Sequence, residues 1–171
     1  LTPHMGKESD ALARARRSVD QWAAAGVDAV VITASGCGTT IKDYGHMLRL
    51  DPAYAERAAA VSAKAKDVTE FLAGLDLPDG QTSLRLAYHA ACSMQHGQKI
   101  RTEPLKLLRK AGFTVAEVPE GHLCCGSAGT YNILQPEIAT RLRDRKVANI
   151  MSTAPQAVAT GNIGCISQVS T

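Results

Sequence analysis

The cysteine thiols are the side chains of this sequence whose chemical type and spacing are suited to a functional site. The number of cysteines is odd, and the first residues lack the charged-then-apolar layout of a signal peptide, so we expect no disulfide framework. Two cysteines are adjacent and the others lie singly in or near glycine-containing segments, which is typical of thiolates that converge on a metal ion or a cluster. The alternative is that they are small buried hydrophobic residues. The five are Cys37, Cys92, Cys124, Cys125 and Cys165.

Composition indicates an ordinary folded protein. The chain has 171 residues, of which 45% are hydrophobic and 20% charged, which excludes a disordered chain and leaves room for one medium domain or two small ones. No apolar run is long enough to cross a bilayer, so we expect no transmembrane segment. The net charge is +3, and the lysines and arginines are scattered among acidic residues, which argues against nucleic-acid binding. We expect a cytoplasmic protein.

Helices and strands alternate in the predicted elements. In the first half, the pattern predicts a helix over 10–25, a strand over 27–34 that is buried on both faces, a turn over 35–40, a short helix over 41–50 and a long helix over 51–74. A turn over 75–81 is the best candidate for a domain boundary. In the second half, it predicts strands over 83–89, 113–118 and 156–160, helices over 103–111 and 136–151, and turns over 121–129 and 164–165.

This alternation predicts an α/β fold with parallel sheets flanked by helices. Ligands of such sheets collect at the carboxyl ends of the strands. Every cysteine lies in or beside a turn that follows a predicted strand. The sequence therefore directs the five thiols toward one edge of the sheet.

The sequence also contains an internal repeat. An offset of 128 residues places Cys37 on Cys165, Gly36 on Gly164 and Val30 on Val158. The chain begins at Leu1 rather than at Met, so we expect it to be a piece of a longer protein whose first repeat is truncated. The predicted domains are a remnant of the first repeat over 1–50, a connecting helix and turn over 51–82, and a second repeat over 83–171.

Three stretches of this sequence resemble a known family. They are Thr-Ala-Ser-Gly-Cys-Gly at 33–38, His-Leu-Cys-Cys-Gly-Ser-Ala-Gly-Thr-Tyr at 122–131 and Asn-Ile-Gly-Cys at 162–165. With their spacing, they are similar to the cysteine-rich CCG domain that occurs twice in the B subunit of heterodisulfide reductase. Within that group they look most like the iron–sulfur subunits of bacterial glycolate oxidases.

The resemblance implies an electron carrier. It implies that Cys92, Cys124, Cys125 and Cys165 hold a [4Fe-4S] cluster, and that Cys37 is the corresponding cofactor-binding residue of the first repeat. It further implies flavin-containing glycolate oxidase subunits as partners, with FAD on those chains. A quinone would be the acceptor, and the protein would lie in the cytoplasm or at the inner face of the membrane.

The sequence departs from the family pattern at two positions. The pattern ends each repeat in Cys-x-x-Cys, but Thr40 and Gln168 replace the second cysteine here. The second repeat keeps four cysteines, which suffice for a four-iron cluster or for a tetrahedral Zn²⁺. The departure argues against the five-cysteine, non-cubane cluster of the heterodisulfide reductases.

Two other functions remain open at this stage. One is a docking module in which the cysteines hold structural Zn²⁺ without any redox role. The other is a thiol enzyme, with Cys124 or Cys125 as nucleophile and His122 as base. His89, His96 and His122 flank the cysteine segments and could donate to sulfur or replace a ligand. We interpret each of them as a structural histidine with satisfied hydrogen bonds.

Overall fold

The computed structural model describes residues 5–170, which form two compact units. The first unit ends at Val68 and the second begins at Thr69. Both contain a parallel sheet flanked by helices, which confirms the predicted α/β class. None of the helices in the described residues is both long and apolar enough to span a lipid bilayer.

The first unit packs helices around a small sheet. Helix α1 (Glu8–Ala24) buries Ala11, Ala15 and Val19, which are four residues apart and therefore share one face. The core of this unit also includes Leu48, Ala58 and Val61. The other elements are β1 (Val30–Ile32), α2 (Ser35–Lys42), α3 (Tyr44–Met47), α4 (Ala55–Lys64) and β2 (Ala65–Asp67), and α5 (Val68–Ala73) follows directly.

Two predictions for the first sheet are wrong. Strand β1 is not buried on both faces, because Val31 is 42% exposed. Within the described part of the chain its sheet has two strands, β1 and β2. Strand β2 was expected to be part of one helix over 51–74. It instead pairs in parallel with β1, with Val30 opposite Ala65, and it separates α4 from α5.

The predicted turn over 35–40 is also wrong, because these residues form the start of α2. The side chains of Thr39 and Thr40 donate to the backbone carbonyls of Ser35 and Gly36, one helical turn earlier. A glycine-rich sequence favours a turn, but here the backbone is helical and the two threonine hydroxyls hydrogen bond within the helix. Cys37 therefore lies on a helix rather than in a loop.

The second unit contains a three-stranded parallel sheet in the order β4, β3, β5, formed by β3 (Arg85–Tyr88), β4 (Thr114–Glu117) and β5 (Ala157–Ala159). All three strands were predicted, and residues 75–81 lack helix and strand, as expected for a turn. The first strand was predicted to begin at residue 83, but β3 begins at Arg85. The helices are α6 (Glu103–Lys110), α7 (Tyr131–Leu134), α8 (Pro136–Met151) and α9 (Ile163–Val169), with a π-helical segment at Ser93–Gln98.

Strand β3 lies in the centre of this sheet and pairs with both neighbours. Leu86 faces Val115 on one side and Ala157 on the other, and Leu86 and Ala87 are buried. Because all three strands are parallel, their carboxyl ends meet at one edge. The chain leaves that edge toward Cys92 after β3, toward Cys124 and Cys125 after β4, and toward Cys165 after β5.

The internal repeat is present in the element order. Helix α8 begins 128 residues after α1, and α9 begins 128 residues after α2. Strands β1 and β5 lie between the two helices of each copy. Ala11 and Ala139, which correspond at this offset, are both buried.

Candidate metal centre

Three chain segments of the second unit carry the candidate ligands. Cys92 immediately precedes the π-helical segment, and Cys124 and Cys125 lie in the loop over 121–129, which we call the Cys-Cys loop. Cys165 was predicted in a turn but lies in the first turn of α9. The Asn162 side chain caps that helix by accepting from the Gly164 N–H at 2.8 Å, which explains why a helix begins there.

The four thiols of the second unit form one interacting group. Cys124 interacts with both Cys92 and Cys125, and Cys125 also interacts with Cys165. Cys125 and Cys165 are buried, whereas Cys92 and Cys124 are half-buried. The buried pair packs with three apolar side chains, which are Ala91, Met94 and Ile100. The group is therefore dry on one side and accessible on the other.

The electrostatics favour a thiolate at Cys124. Hydrogen bonds from the Cys125 and Cys92 thiols lower the pKa of Cys124 to about 2, and the Gly126 N–H also donates to its Sγ at 3.3 Å. The same contacts raise the pKa of Cys92 and of Cys125. Cys125 also lowers the pKa of Cys165 to about 5, with a smaller effect from His89. Because neighbouring negative charges repel, a bound cation is needed to ionise all four thiols together.

A buried lysine accompanies the thiols. Lys146 of α8 is 1% exposed, and its Nζ donates to the carbonyl of Glu120 at 2.8 Å. Burial lowers the pKa of Lys146, while negative charge on Cys92 and Cys125 acts in the opposite direction. An ammonium in this position offsets negative charge on the thiolates. Sequence reasoning missed it because a lysine on a long helix is normally solvated.

His89 is the first residue after β3, and its side chain is 1% exposed. Its ligand nitrogen and the sulfurs of Cys125 and Cys165 all lie within 4.8 Å of one another. Neither ring nitrogen makes a hydrogen bond of normal distance and angle in residues 5–170, although the ring interacts with the Cys165 thiol. The interpretation of His89 as a structural histidine with satisfied hydrogen bonds is therefore wrong.

The other two flanking histidines are exposed. Nε2 of His96 lies 3.3 Å from the carbonyl oxygen of His122. Both residues line a cavity of about 300 Å³ together with Gln95 and Glu117. The four clustered cysteines and His89 do not line this cavity.

Two glycines fix the Cys-Cys loop against neighbouring helices. Gly126 has φ +93°, and a Cβ there would lie 2.3 Å from the carbonyl oxygen of Ala139 in α8. A Cβ on Gly164 of α9 would lie 2.6 Å from Oγ of Ser127. The backbone approach and the positive φ require glycine at position 126, whereas a side chain at position 164 would displace the hydroxyl of Ser127.

Two further positions from the sequence analysis are Cys37 and Gln168. Cys37 is exposed and lies in the first unit, and its role as a ligand stays a prediction. Gln168 accepts from Nδ2 of Asn132 at 3.1 Å, and it also donates to the Ala139 carbonyl. The Gln168 side-chain amide therefore links α9 to α7 and α8.

The donor set fits a metal centre. Thiolates are the ligands that iron–sulfur clusters and zinc sites share, and imidazole also serves both. The thiols of Cys124 and Cys165, whose pKa values are lowered, are suited to hold a positively charged group. The roles of Cys92, Cys124, Cys125 and Cys165 as ligands remain our assignment from this geometry.

Comparison with known proteins identifies related sequences. The iron–sulfur subunit of glycolate oxidase from Escherichia coli K12 is 43% identical over 169 residues, and the probable counterpart from Bacillus subtilis 168 is 33% identical over 174. These matches cover 95% and 99% of this chain but only 41% and 39% of those relatives. The chain thus spans about two fifths of their length. Lactate utilization protein A from Bacillus licheniformis is 29% identical, over 96% of this chain and 70% of that relative.

A family model for the cysteine-rich domain called CCG matches residues 2–42 and 86–170. The two matched regions contain the two copies of the internal repeat and all five cysteines. The matched residues make up more than half of the sequence. This chain belongs to the CCG family of cysteine-rich domains.

Proposed function

We propose that this chain is part of an iron–sulfur electron-transfer subunit. In this proposal Cys92, Cys124, Cys125 and Cys165 hold a cluster of the [4Fe-4S] type, which takes one protein ligand at each of its four irons, most commonly a thiolate. The observation that carries the proposal is the convergence of these four thiols at the carboxyl edge of one parallel sheet. The CCG family match and the iron–sulfur subunits among the relatives support it.

The bound cluster would supply one-electron oxidation and reduction. The residues around the site provide its environment. Cys125 and Cys165 are buried and keep water from one side, whereas the half-buried Cys92 and Cys124 leave the other side near the surface for electron exchange. The Lys146 ammonium offsets negative charge at the thiolates, which favours the reduced, more negative state.

The relatives indicate the class of substrate for the complete enzyme. Glycolate and lactate, which appear in their names, are both 2-hydroxy acids. In the proposal, a flavin-containing partner subunit binds FAD and oxidises glycolate or a related 2-hydroxy acid. This chain accepts electrons from that partner and passes them toward a quinone, in the cytoplasm at the inner face of the membrane.

A second candidate function is a zinc-stabilised docking module without a redox role. The group formed by His89, Cys125 and Cys165 favours this candidate, because imidazole and two thiolates are ordinary zinc ligands. In this case the fold would serve to bind a flavin subunit. The two candidates differ in the metal that the chain retains.

Metal analysis of the chain, purified and reconstituted without oxygen, tests the proposal. We expect about four irons and four sulfides per chain and visible absorption that bleaches on reduction. Cys165→Ser is expected to lose most of this iron, whereas Cys37→Ser, which changes only the first unit, serves as the matched control and keeps it. Circular dichroism checks that both variants fold. A colourless chain with about one zinc would overturn the electron-transfer role and support the docking module.

A further inference from the structure

We propose that His89 is a nitrogen ligand of the metal centre together with Cys125 and Cys165, in place of one of the two half-buried thiols. The inference rests on the proposed function, because it assigns one of the four ligand positions of the same cluster to His89. The position of the ring, its burial and the absence of a normal hydrogen bond at its nitrogens support it.

The position of His89 is fixed by the central strand. Its backbone N–H donates to the carbonyl of Ala159 at 2.9 Å, which extends the β3–β5 pairing by one residue. The ring is thereby held at the carboxyl edge of the sheet, where Cys125 and Cys165 also lie. The ligand atoms of these three side chains are within 4.8 Å of one another, so one metal centre can reach all three.

The burial of the ring demands a partner for its nitrogens. A buried polar group without a hydrogen bond costs about 1–3 kcal/mol, and native proteins rarely leave one unsatisfied. Neither nitrogen of His89 makes a hydrogen bond of normal geometry within residues 5–170, and the group that interacts with the ring is the Cys165 thiol, itself a candidate ligand. Bonding to a metal satisfies one nitrogen through its lone pair, while the neutral imidazole keeps its proton on the other.

Two other histidines of the second unit provide a contrast. His96 and His122 flank the same cysteine segments, but both are exposed and can hydrogen bond to water. Neither belongs to a group of candidate metal ligands in the described residues. They are matched controls for a role that depends on burial beside the sulfurs.

An imidazole ligand changes the charge of the centre. It is neutral, whereas each thiolate adds a negative charge, so a centre with a histidine ligand is easier to reduce. A cysteine at position 89 would restore the negative charge. His89→Cys is therefore expected to retain iron while the reduction potential falls.

Pulsed electron paramagnetic resonance on the reconstituted, reduced chain tests the inference. With ¹⁵N-histidine incorporated, we expect a strong nitrogen coupling that disappears in His89→Gln and in His89→Cys. The same coupling is expected to persist in His96→Gln and in His122→Gln. The labelled unmutated chain reports the ligand by itself, so the test survives a failure of any variant to fold.

The outcomes separate this inference from the proposed function. A chain that binds an iron–sulfur cluster but shows no histidine coupling, or only the weak coupling of a nitrogen outside the coordination sphere, would overturn the role of His89 alone. Coupling that remains in His89→Gln would also overturn it. A chain that retains no iron would overturn the proposed function and the inference with it.

Discussion

Replacement of Gly126 by alanine is expected to destabilise the second unit by about 2–5 kcal/mol. Gly126 follows the adjacent cysteines, and its φ of +93° lies in the region that residues with a Cβ avoid. Its N–H donates to Sγ of Cys124 at 3.3 Å. The substitution therefore changes both the backbone of the Cys-Cys loop and its contact with a candidate ligand.

Two separate costs make up this value. A positive φ costs a non-glycine residue about 1–2 kcal/mol. The new Cβ would also lie 2.3 Å from the carbonyl oxygen of Ala139 and 3.2 Å from its Cα, so the backbone of α8 must move. Overpacking of this kind costs about 1–3 kcal/mol. Because whole domains are stable by only about 5–15 kcal/mol, the loss is large but need not unfold the protein.

The matched control is Gly129→Ala in the same loop. Gly129 has φ +69°, and a Cβ there would meet nothing within 4 Å. This variant bears the conformational cost alone, about 1–2 kcal/mol. Urea unfolding of the reduced, metal-free chain, followed by far-ultraviolet circular dichroism, compares the two midpoints at constant m-value. Equal losses in the two variants would refute the argument from close packing against α8.

Three further predictions concern charge and accessibility. Lys146→Met is expected to lower the reduction potential of the reconstituted centre, because it removes a buried positive charge. Lys106 is exposed, so Lys106→Met should leave the potential unchanged in the same redox titration. Arg145 lowers the pKa of Glu120 from 4.5 to about 2, so the stability that this interaction contributes is present above pH 4.5 and is lost as the pH falls toward 2. Unfolding midpoints of Glu120→Gln should accordingly lie below those of the unmutated chain at pH 7 and approach them near pH 2. In the metal-free chain, mass spectrometry after brief alkylation should show Cys37 modified before the buried Cys125 and Cys165. Equal alkylation rates for these three thiols would contradict the described burial.

The second unit was largely predictable from the sequence because its local signals agree with its tertiary structure. Helix α8 has Pro136 at its start and was predicted with the same bounds. The segment that forms β3 alternates polar and apolar residues, and turn residues separate the strand segments from the helices. Parallel pairing then brings the cysteine segments to one edge. That part of the candidate site follows from the order of elements along the chain.

The elements that could not be predicted depend on pairing and packing. Ala65, Lys66 and Asp67 continue the helical spacing of α4, and only their pairing with β1 makes them a strand. The burial of His89 and Lys146 likewise depends on which segments cover them in the fold. A single sequence carries no direct signal for either. The unsatisfied ring of His89 became visible only with the surrounding atoms in place.

The internal repeat separates the position of a cysteine in the fold from its burial. Cys37 and Cys165 occupy equivalent positions, each at the third residue of a helix that follows a parallel strand. Yet Cys37 is exposed, while Cys165 is 7% exposed and packs with Cys125 and Met94. The helix and strand of the repeat therefore bring a thiol to the edge of a sheet without burying it. In the second unit the burial depends on the segment after β3 and on the Cys-Cys loop, which supply the other thiols and cover the sulfur.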